Sequence, residues 1–331
     1  MKTNYIFAAL AVVALASCSK SATIEQSPML DKSPISFQSY NAGTTRASQV
    51  GTSDVQSNGF NVSAYFNAPD QAPTGTTSGW FFKNNNVAYS TDRYSTAYFW
   101  PGSGTMDFYA VYPKTVSISD TKTIANYSSD GKVDLLVANE LAENCATHSS
   151  SQSLVAVAFN HALTYVSFSA KGSDAGYDYI ISKITVTAKD NATYTFSTTD
   201  AQIGTWDVPT EDKSYKYFDG TTTPVTVNNT ALTPITGDEQ IYIPQVAGAK
   251  VKIEYQIKHT DTKVLVKDYT GDNGKTFTTT AAWTSKSQVR YNLTLPMGAN
   301  PIEFTATVNA WDTETAIAVG DGQNGSLSWN N

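Results

Sequence analysis

The chain of 331 residues reads as all-β, built from β-sandwiches, and three observations carry that reading. Its body is rich in threonine and holds 19 tyrosines and 14 phenylalanines, residues that suit a pleated, half-buried surface. Apolar and polar residues alternate over many short runs, each bounded by Gly, Asn, Asp, Pro or Ser. Helical periodicity is scarce; its nearest candidate is 134–146, with room for one or two turns.

Before the first strand comes a targeting segment. Lys2 gives a positive start, 5–16 is almost unbroken apolar sequence, and Leu15-Ala16-Ser17 leads into Cys18. That is the layout of a secretory signal, and it is too short to span a bilayer, which takes roughly 20 apolar residues. A cysteine beside an ordinary cleavage site is the plain alternative. Cys18, however, stands where a bacterial lipoprotein signal places the residue whose thiol takes the diacylglycerol. Residues 1–17 are therefore read as a signal peptide and Cys18 as the lipidation site, palmitate included. Several acyl chains on one residue hold a protein at a membrane where one chain does not. Residues 18–33 are polar and turn-prone, a tether.

The strands follow in order. Pro34-Ile35-Ser36-Phe37-Gln38 puts Ile35 and Phe37 on one face. Alternation recurs at 60–66, 106–112, 154–159, 165–168, 180–187 and 193–196. It returns at 240–243, 251–257, 264–266, 289–295 and 302–308. So many short strands with turn signals between them predict sandwiches rather than a parallel sheet with helical crossovers. The most polar, featureless stretch, 147–153, is the expected boundary, dividing an N-terminal sandwich (34–150) from a C-terminal one (151–331).

The net charge of −7, with scattered basic residues, argues against a nucleic-acid partner, which needs a clustered cationic face. With Cys18 lipidated, Cys145 has no partner and the chain has no disulfide framework. Cys145 and His148 stand three apart in a polar loop, a spacing more often incidental than catalytic. No Gly-x-Ser-x-Gly, His-Glu-x-x-His, Cys-x-x-Cys or phosphate-binding glycine loop occurs. His148, His161 and His259 are too scattered to suggest a metal site, and His161 reads as a packed histidine at a strand entry. Gly320-Asp321-Gly322-Gln323-Asn324-Gly325 lacks the alternating acidic ligands of a calcium loop. No enzyme, metal or cofactor is expected. Trp80, Trp100 and Trp206 are the candidates for stacking on sugar, although tryptophans in sandwiches are more often packing residues.

An ordered set of residues then carries a resemblance. After the lipobox cysteine come Pro34-Ile35-Ser36-Phe37, Thr45-Arg46-Ala47, Ala110-Val111-Tyr112-Pro113 and Asp134-Leu135-Leu136-Val137-Ala138. Phe159-Asn160-His161-Ala162-Leu163, Trp283, Tyr291-Asn292-Leu293-Thr294-Leu295 and Val308-Asn309-Ala310-Trp311 complete it. This order resembles the fimbrillin (Mfa-like) family of Bacteroidales, whose members form type V pili. The resemblance implies two transthyretin-like β-sandwich domains and export as a lipoprotein to the outer-membrane surface. It further implies that an arginine-specific protease cuts after Arg46, before Ala47, so that lipid and first strand leave together. The strand carrying Ile35 and Phe37 would open a groove, filled by a strand from another pilin subunit. Adhesion to a host or bacterial surface ligand would be the outcome.

Two C-terminal pairs have the matching period, Ile317 with Val319 and Leu327 with Trp329, and are the candidate donor strand. They also read as ordinary last strands of the C-terminal sandwich. The rival function is a surface glycan-binding lipoprotein of a polysaccharide-uptake system, in which aromatic platforms carry the binding.

Overall fold

The computed structural model describes residues 33–41, 52–70, 75, 77–151, 153–246 and 248–311. Cys18, Arg46, Ala47, Ile317, Val319, Leu327, Trp329 and the glycine-rich turn at 320–325 lie outside the described residues.

The first half holds β1 (Pro34–Asn41), α1 (Thr52–Asn58), β2 (Phe60–Asn67), β3 (Gly79–Val87), β4 (Tyr89–Ser90) and β5 (Arg93–Phe99). It continues with β6 (Thr105–Tyr112), β7 (Thr123–Tyr127), β8 (Leu136–Asn144), α2 (Cys145–Ser151) and β9 (Val155–His161). The second half begins with β10 (Thr164–Gly172), β11 (Tyr177–Asp190), β12 (Ala192–Thr195), β13 (Thr205–Trp206) and β14 (Glu211–Asp219). Then come β15 (Val225–Val227), β16 (Thr233–Ile235), β17 (Ile241–Tyr242) and β18 (Lys250–His259). The last are β19 (Leu265–Tyr269), β20 (Lys275–Thr278), β21 (Ser287–Leu295) and β22 (Glu303–Ala310). The fold is all-β.

Eight strands form one sheet in the order β3-β2-β6-β8-β9-β1-β5-β4. β8 and β9 pair only through Leu136 with His161 and Val137 with Asn160, so the sheet folds over at that seam. Strand β1 consequently packs face to face on β2 and β6, from which it is separated in strand order. The enclosed core contains Ile35, Phe37, Phe60, Phe108, Trp100 and Phe159. In the second half, β16-β10-β21-β22 with β17 packs on β14-β11-β18-β19 with β15 and β20. Between those sheets lies a core rich in Tyr, Ile and Val.

A third core joins the halves. Tyr109, Val111, Leu135 and Val137 turn away from the first core to meet Leu163, Tyr194, Phe196, Ile243 and Trp311. The small sheet β13-β12-β7 sits there too, pairing a first-half strand with second-half ones. The halves are thus welded by backbone hydrogen bonds as well as by side chains.

Three expectations change. The stretch 134–146 is chiefly strand β8, with helix only from Cys145. Leu136 and Ala138 face the first core while Leu135 and Val137 face the third, so both faces are apolar and strand alternation disappears. The polar run 147–153 is mostly helix α2, where the Asn144 side chain accepts from the Thr147 amide at 3.0 Å as an N-cap. Strand β9, which follows it, pairs with β1 and β8, so the chain changes sheet at Ala162-Leu163 rather than at 150/151.

Candidate functional site: strand β1 and its groove

Strand β1 is an interior strand. It runs parallel to β9, from Phe37 opposite Val155 to Asn41 opposite Phe159. On its other side it is antiparallel to β5, with Ser36 opposite Ser95 and Phe37 opposite Tyr94. Pro34, which cannot donate to a ladder, sits at the irregularity where the β1–β5 register shifts. Taking β1 away therefore bares two edges, on β9 and on β5. Each bared edge is a row of unpaired backbone groups, a template for strand addition.

The side chains follow the alternation read from sequence. Ile35 and Phe37 are both 0 % exposed. The Phe37 ring meets Phe60 edge-on at 6.0 Å between centroids and Phe108 at 5.3 Å. Phe60 in turn contacts Tyr94 at 4.7 Å and Phe159 at 5.3 Å. Rings from β2 and β6 thus meet Phe37 directly, and those from β5 and β9 pack against Phe60. Burying each of these two apolar side chains is worth about 1.5–3 kcal/mol.

Polar contacts set the register. The hydroxyls of Ser36 and Ser95 lie 3.0 Å apart, and the Thr96 hydroxyl donates to the Ile35 carbonyl at 3.1 Å. Ser39 donates to the Tyr94 hydroxyl at 3.0 Å, and burial raises the Tyr94 phenol above its ordinary range. At the start of the strand, Ser33 donates to the Ser149 carbonyl of α2 at 3.1 Å, and the Trp100 amide donates to Ser33 at 3.2 Å. Helix α1, which resumes the described chain after β1, buries its Val55 in the same core. Gly59 then turns the chain into β2 with φ +72°, where a Cβ would stand 2.1 Å from the Val87 carbonyl oxygen.

The other residues singled out from sequence are structural in their contacts. His148 Nε2 is 2.5 Å from a Glu143 oxygen, and its ring stacks on Trp100 at 4.4 Å. His161 Nδ1 is 2.5 Å from an Asp134 oxygen. His259 meets Tyr177 edge-on at 5.7 Å. Burial pushes the Cys145 thiol up to about 12, leaving it a poor nucleophile. Trp80 packs edge-on against Tyr65 and Tyr109, Trp100 is buried, and Trp206 donates its Nε1 proton to the Ala162 carbonyl at 2.8 Å. Among the described residues no cluster of three or more His, Cys, Asp or Glu is placed to hold a metal ion.

The sequence reading missed β5, which supplies Tyr94, Ser95 and Thr96 to the site. Its signal was present: Tyr94 and Thr96 are buried between exposed Arg93, Ser95 and Ala97, a period of two carried without any aliphatic residue.

Comparison with known proteins bears on this architecture. A search of curated proteins returns no match. A fimbrial protein from Bacteroides vulgatus superposes with a TM-score of 0.55 at 18% identity, covering 83% of this chain and 99% of that one. A protein from Bacteroides ovatus, provisionally assigned to cell adhesion, has a TM-score of 0.49 at 14% identity, covering 86% of this chain and 100% of that one. At these identities the first likeness speaks for the fold alone. The family model described as fimbrillin-like matches residues 45–311, most of the sequence, and the chain belongs to that family.

Proposed function

We propose that this protein is a subunit of a type V pilus, displayed on the outer-membrane surface through lipid on Cys18 and matured by an arginine-specific protease. The observation that carries the reading is the placement of β1. It is a fully integrated inner strand, with Ile35 and Phe37 completely buried, yet all of it precedes Arg46. A cut between Arg46 and Ala47 severs the strand from the fold it completes while β5 and β9 stay in place. The lost covalent link turns a permanent strand into a dissociable one. Its departure leaves an aromatic-lined slot between two unpaired edges. A strand from the C-terminal segment of another subunit, with Ile317 and Val319 or Leu327 and Trp329 on its apolar face, fills the slot and polymerises the protein. Adhesion then follows from display on the fibre.

Supporting this over the glycan-binding alternative, the three candidate tryptophans are engaged in internal ring contacts or hydrogen bonds. The test is incubation of the purified precursor with an arginine-specific protease, followed by size analysis and N-terminal sequencing. A new N-terminus at Ala47 together with high-mass ladders is the expected result. Ala47 termini on a protein that stays monomeric would sink strand exchange, and no cleavage at Arg46 would sink the maturation step.

A further inference from the structure

The chain has three arginines, so an arginine-specific protease has three bonds to choose from: Arg46-Ala47, Arg93-Tyr94 and Arg290-Tyr291. Arg290 lies in the interior strand β21, paired on both sides, with Ser167 and with Thr307, and Tyr291 is 0 % exposed. Arg93 is placed differently. It opens β5 after the exposed turn Thr91-Asp92, where Thr91 has φ +64°, and its side chain is 44 % exposed. Its guanidinium donates to the Asp92 carboxylate at 2.8 and 3.1 Å, a surface pair that holds the side chain only weakly. The obstacle to cleavage is the next residue. Tyr94 is 0 % exposed, and a protease can reach the bond before it only when the strand opens locally.

Strand β1 is what holds this part of β5 closed. Ser39 donates to the Tyr94 hydroxyl at 3.0 Å, the Thr96 hydroxyl donates to the Ile35 carbonyl at 3.1 Å, and Ser36 meets Ser95 at 3.0 Å. Among the described residues, the only ladder left to β5 without β1 is the two-residue β4, with Tyr89 opposite Tyr94 and Ser90 opposite Arg93. Ring packing of Tyr94 on Phe60 and of Tyr98 on Phe82 remains. A lone two-stranded hairpin is marginally stable at best. Resting on the reading that β1 leaves after the cut at Arg46, we infer that Arg93-Tyr94 is a second, latent cleavage site for the same protease, masked by β1 and opened by its departure. Water adds across the amide, leaving a carboxylate on Arg93 and a free amine on Tyr94. The cut parts β4 from β5 and breaks one wall of the slot. A strand that refills the slot pairs with β5 again and closes the site. The protease that matures a subunit thus also removes one whose slot stays empty.

Two full-length variants read the masking without calling on the release of β1, because Arg46→Lys removes the first cut. The Arg46→Lys precursor, treated with the arginine-specific protease and sequenced over time at its new N-termini, should yield almost no Tyr94 terminus. Phe37→Ala, Arg46→Lys loosens β1 in place and should yield Tyr94 termini at least about tenfold faster, since cleavage tracks the population of opened strand. The Arg290 bond is the internal control, and Tyr291 termini should stay flat in both. Tyr94 and Tyr291 termini rising together would mean general unfolding and overturn the masking, as would equal Tyr94 rates in the two variants. In the wild-type chain, Ala47 termini should come first. Tyr94 termini should follow only on molecules that native mass spectrometry shows to have lost the segment ahead of Ala47. Tyr94 termini on molecules that still hold that segment would overturn the masking as well. Ala47 termini with the segment retained throughout would sink the departure of β1, whatever the two variants show of the masking.

Discussion

The imidazole of His161 lies flat on the indole of Trp311, ring centres 4.4 Å apart and planes within 5°. The two residues come from opposite halves of the chain. His161 ends β9 and bonds Asp134 ahead of β8, whereas Trp311 follows the final described strand β22. Trp311 is 3 % exposed, its amide donates to the Lys286 carbonyl at 2.6 Å, and its ring also meets Tyr165 edge-on at 5.9 Å. The end of β22 is therefore a structural pin in the core shared by both halves.

That pin predicts a sharp boundary for truncation. A chain stopped after Trp311 keeps every contact just described, so it should fold like the full chain, yet it lacks both proposed donor segments. A chain stopped after Ala310, or carrying Trp311→Ala, loses a buried indole and should be destabilised by roughly 3–5 kcal/mol. Urea unfolding of the three proteins checks this. Equal midpoints for the two truncations would show that the stacking is incidental.

How far all this was legible in the sequence depends on which faces a strand buries. Ile35 and Phe37 could be read because Pro34 and Gln38 point outward beside them. Leu135 to Ala138 could not, since consecutive residues serve two different cores and the period of two vanishes. The polar stretch 147–153 looked like a linker by composition, but the Asn144 cap and the Ser150 hydroxyl, donating to the Thr147 carbonyl, make it a helix. Which strands flank β1 was beyond reach. The parallel pairing with β9 joins residues separated by more than a hundred positions, and no local pattern encodes it.

Phe37→Ala should loosen β1 before any protease acts. The edge-on contacts with Phe60 and Phe108 are lost and a cavity is left in the core, at a cost of about 3–5 kcal/mol. Because β1 is covalently attached in the precursor, the variant should still fold but unfold at lower urea, and β1 amides should exchange with deuterium faster than those of β21. Uniformly faster exchange across both halves would mean that Phe37 supports the whole molecule rather than the hold on its own strand.

Glu140 gives the fold a pH dependence. It is 8 % exposed, and burial pushes its carboxyl up from 4.5 to about 7, with Asp200 and Glu143 adding repulsion. The Ala158 amide, donating to it at 3.3 Å, only partly offsets this. Between pH 4.5 and 7 the folded state thus binds more protons than the unfolded one. Its contribution to stability is fully present below 4.5, falls as pH rises through 7, and is flat beyond. Glu140→Gln keeps an acceptor for the Ala158 amide and cannot ionise. The variant should match the wild type near pH 4.5 and exceed it by roughly 1–3 kcal/mol at pH 8. Parallel urea titrations at the two pH values measure the difference, and a gap that does not change with pH would show that Glu140 is not the titrating group.

Arg46→Lys separates the site of the cut from the identity of the protease. The arginine-specific enzyme should leave this variant monomeric, because the chain has no other arginine before Arg93. A lysine-specific protease should restore assembly, since a break after position 46 again frees β1. The wild type under the same lysine-specific enzyme is the control. There the lysines ahead of β1 are Lys2, Lys20 and Lys32, so trimming as far as Lys32 leaves β1 joined to the fold through residues 42–51. Sequencing should find Ser33 as the new N-terminus of a wild-type monomer and Ala47 as that of a ladder-forming variant. Assembly of wild type trimmed only at Lys32 would show that loss of the lipid segment, and not release of β1, starts polymerisation.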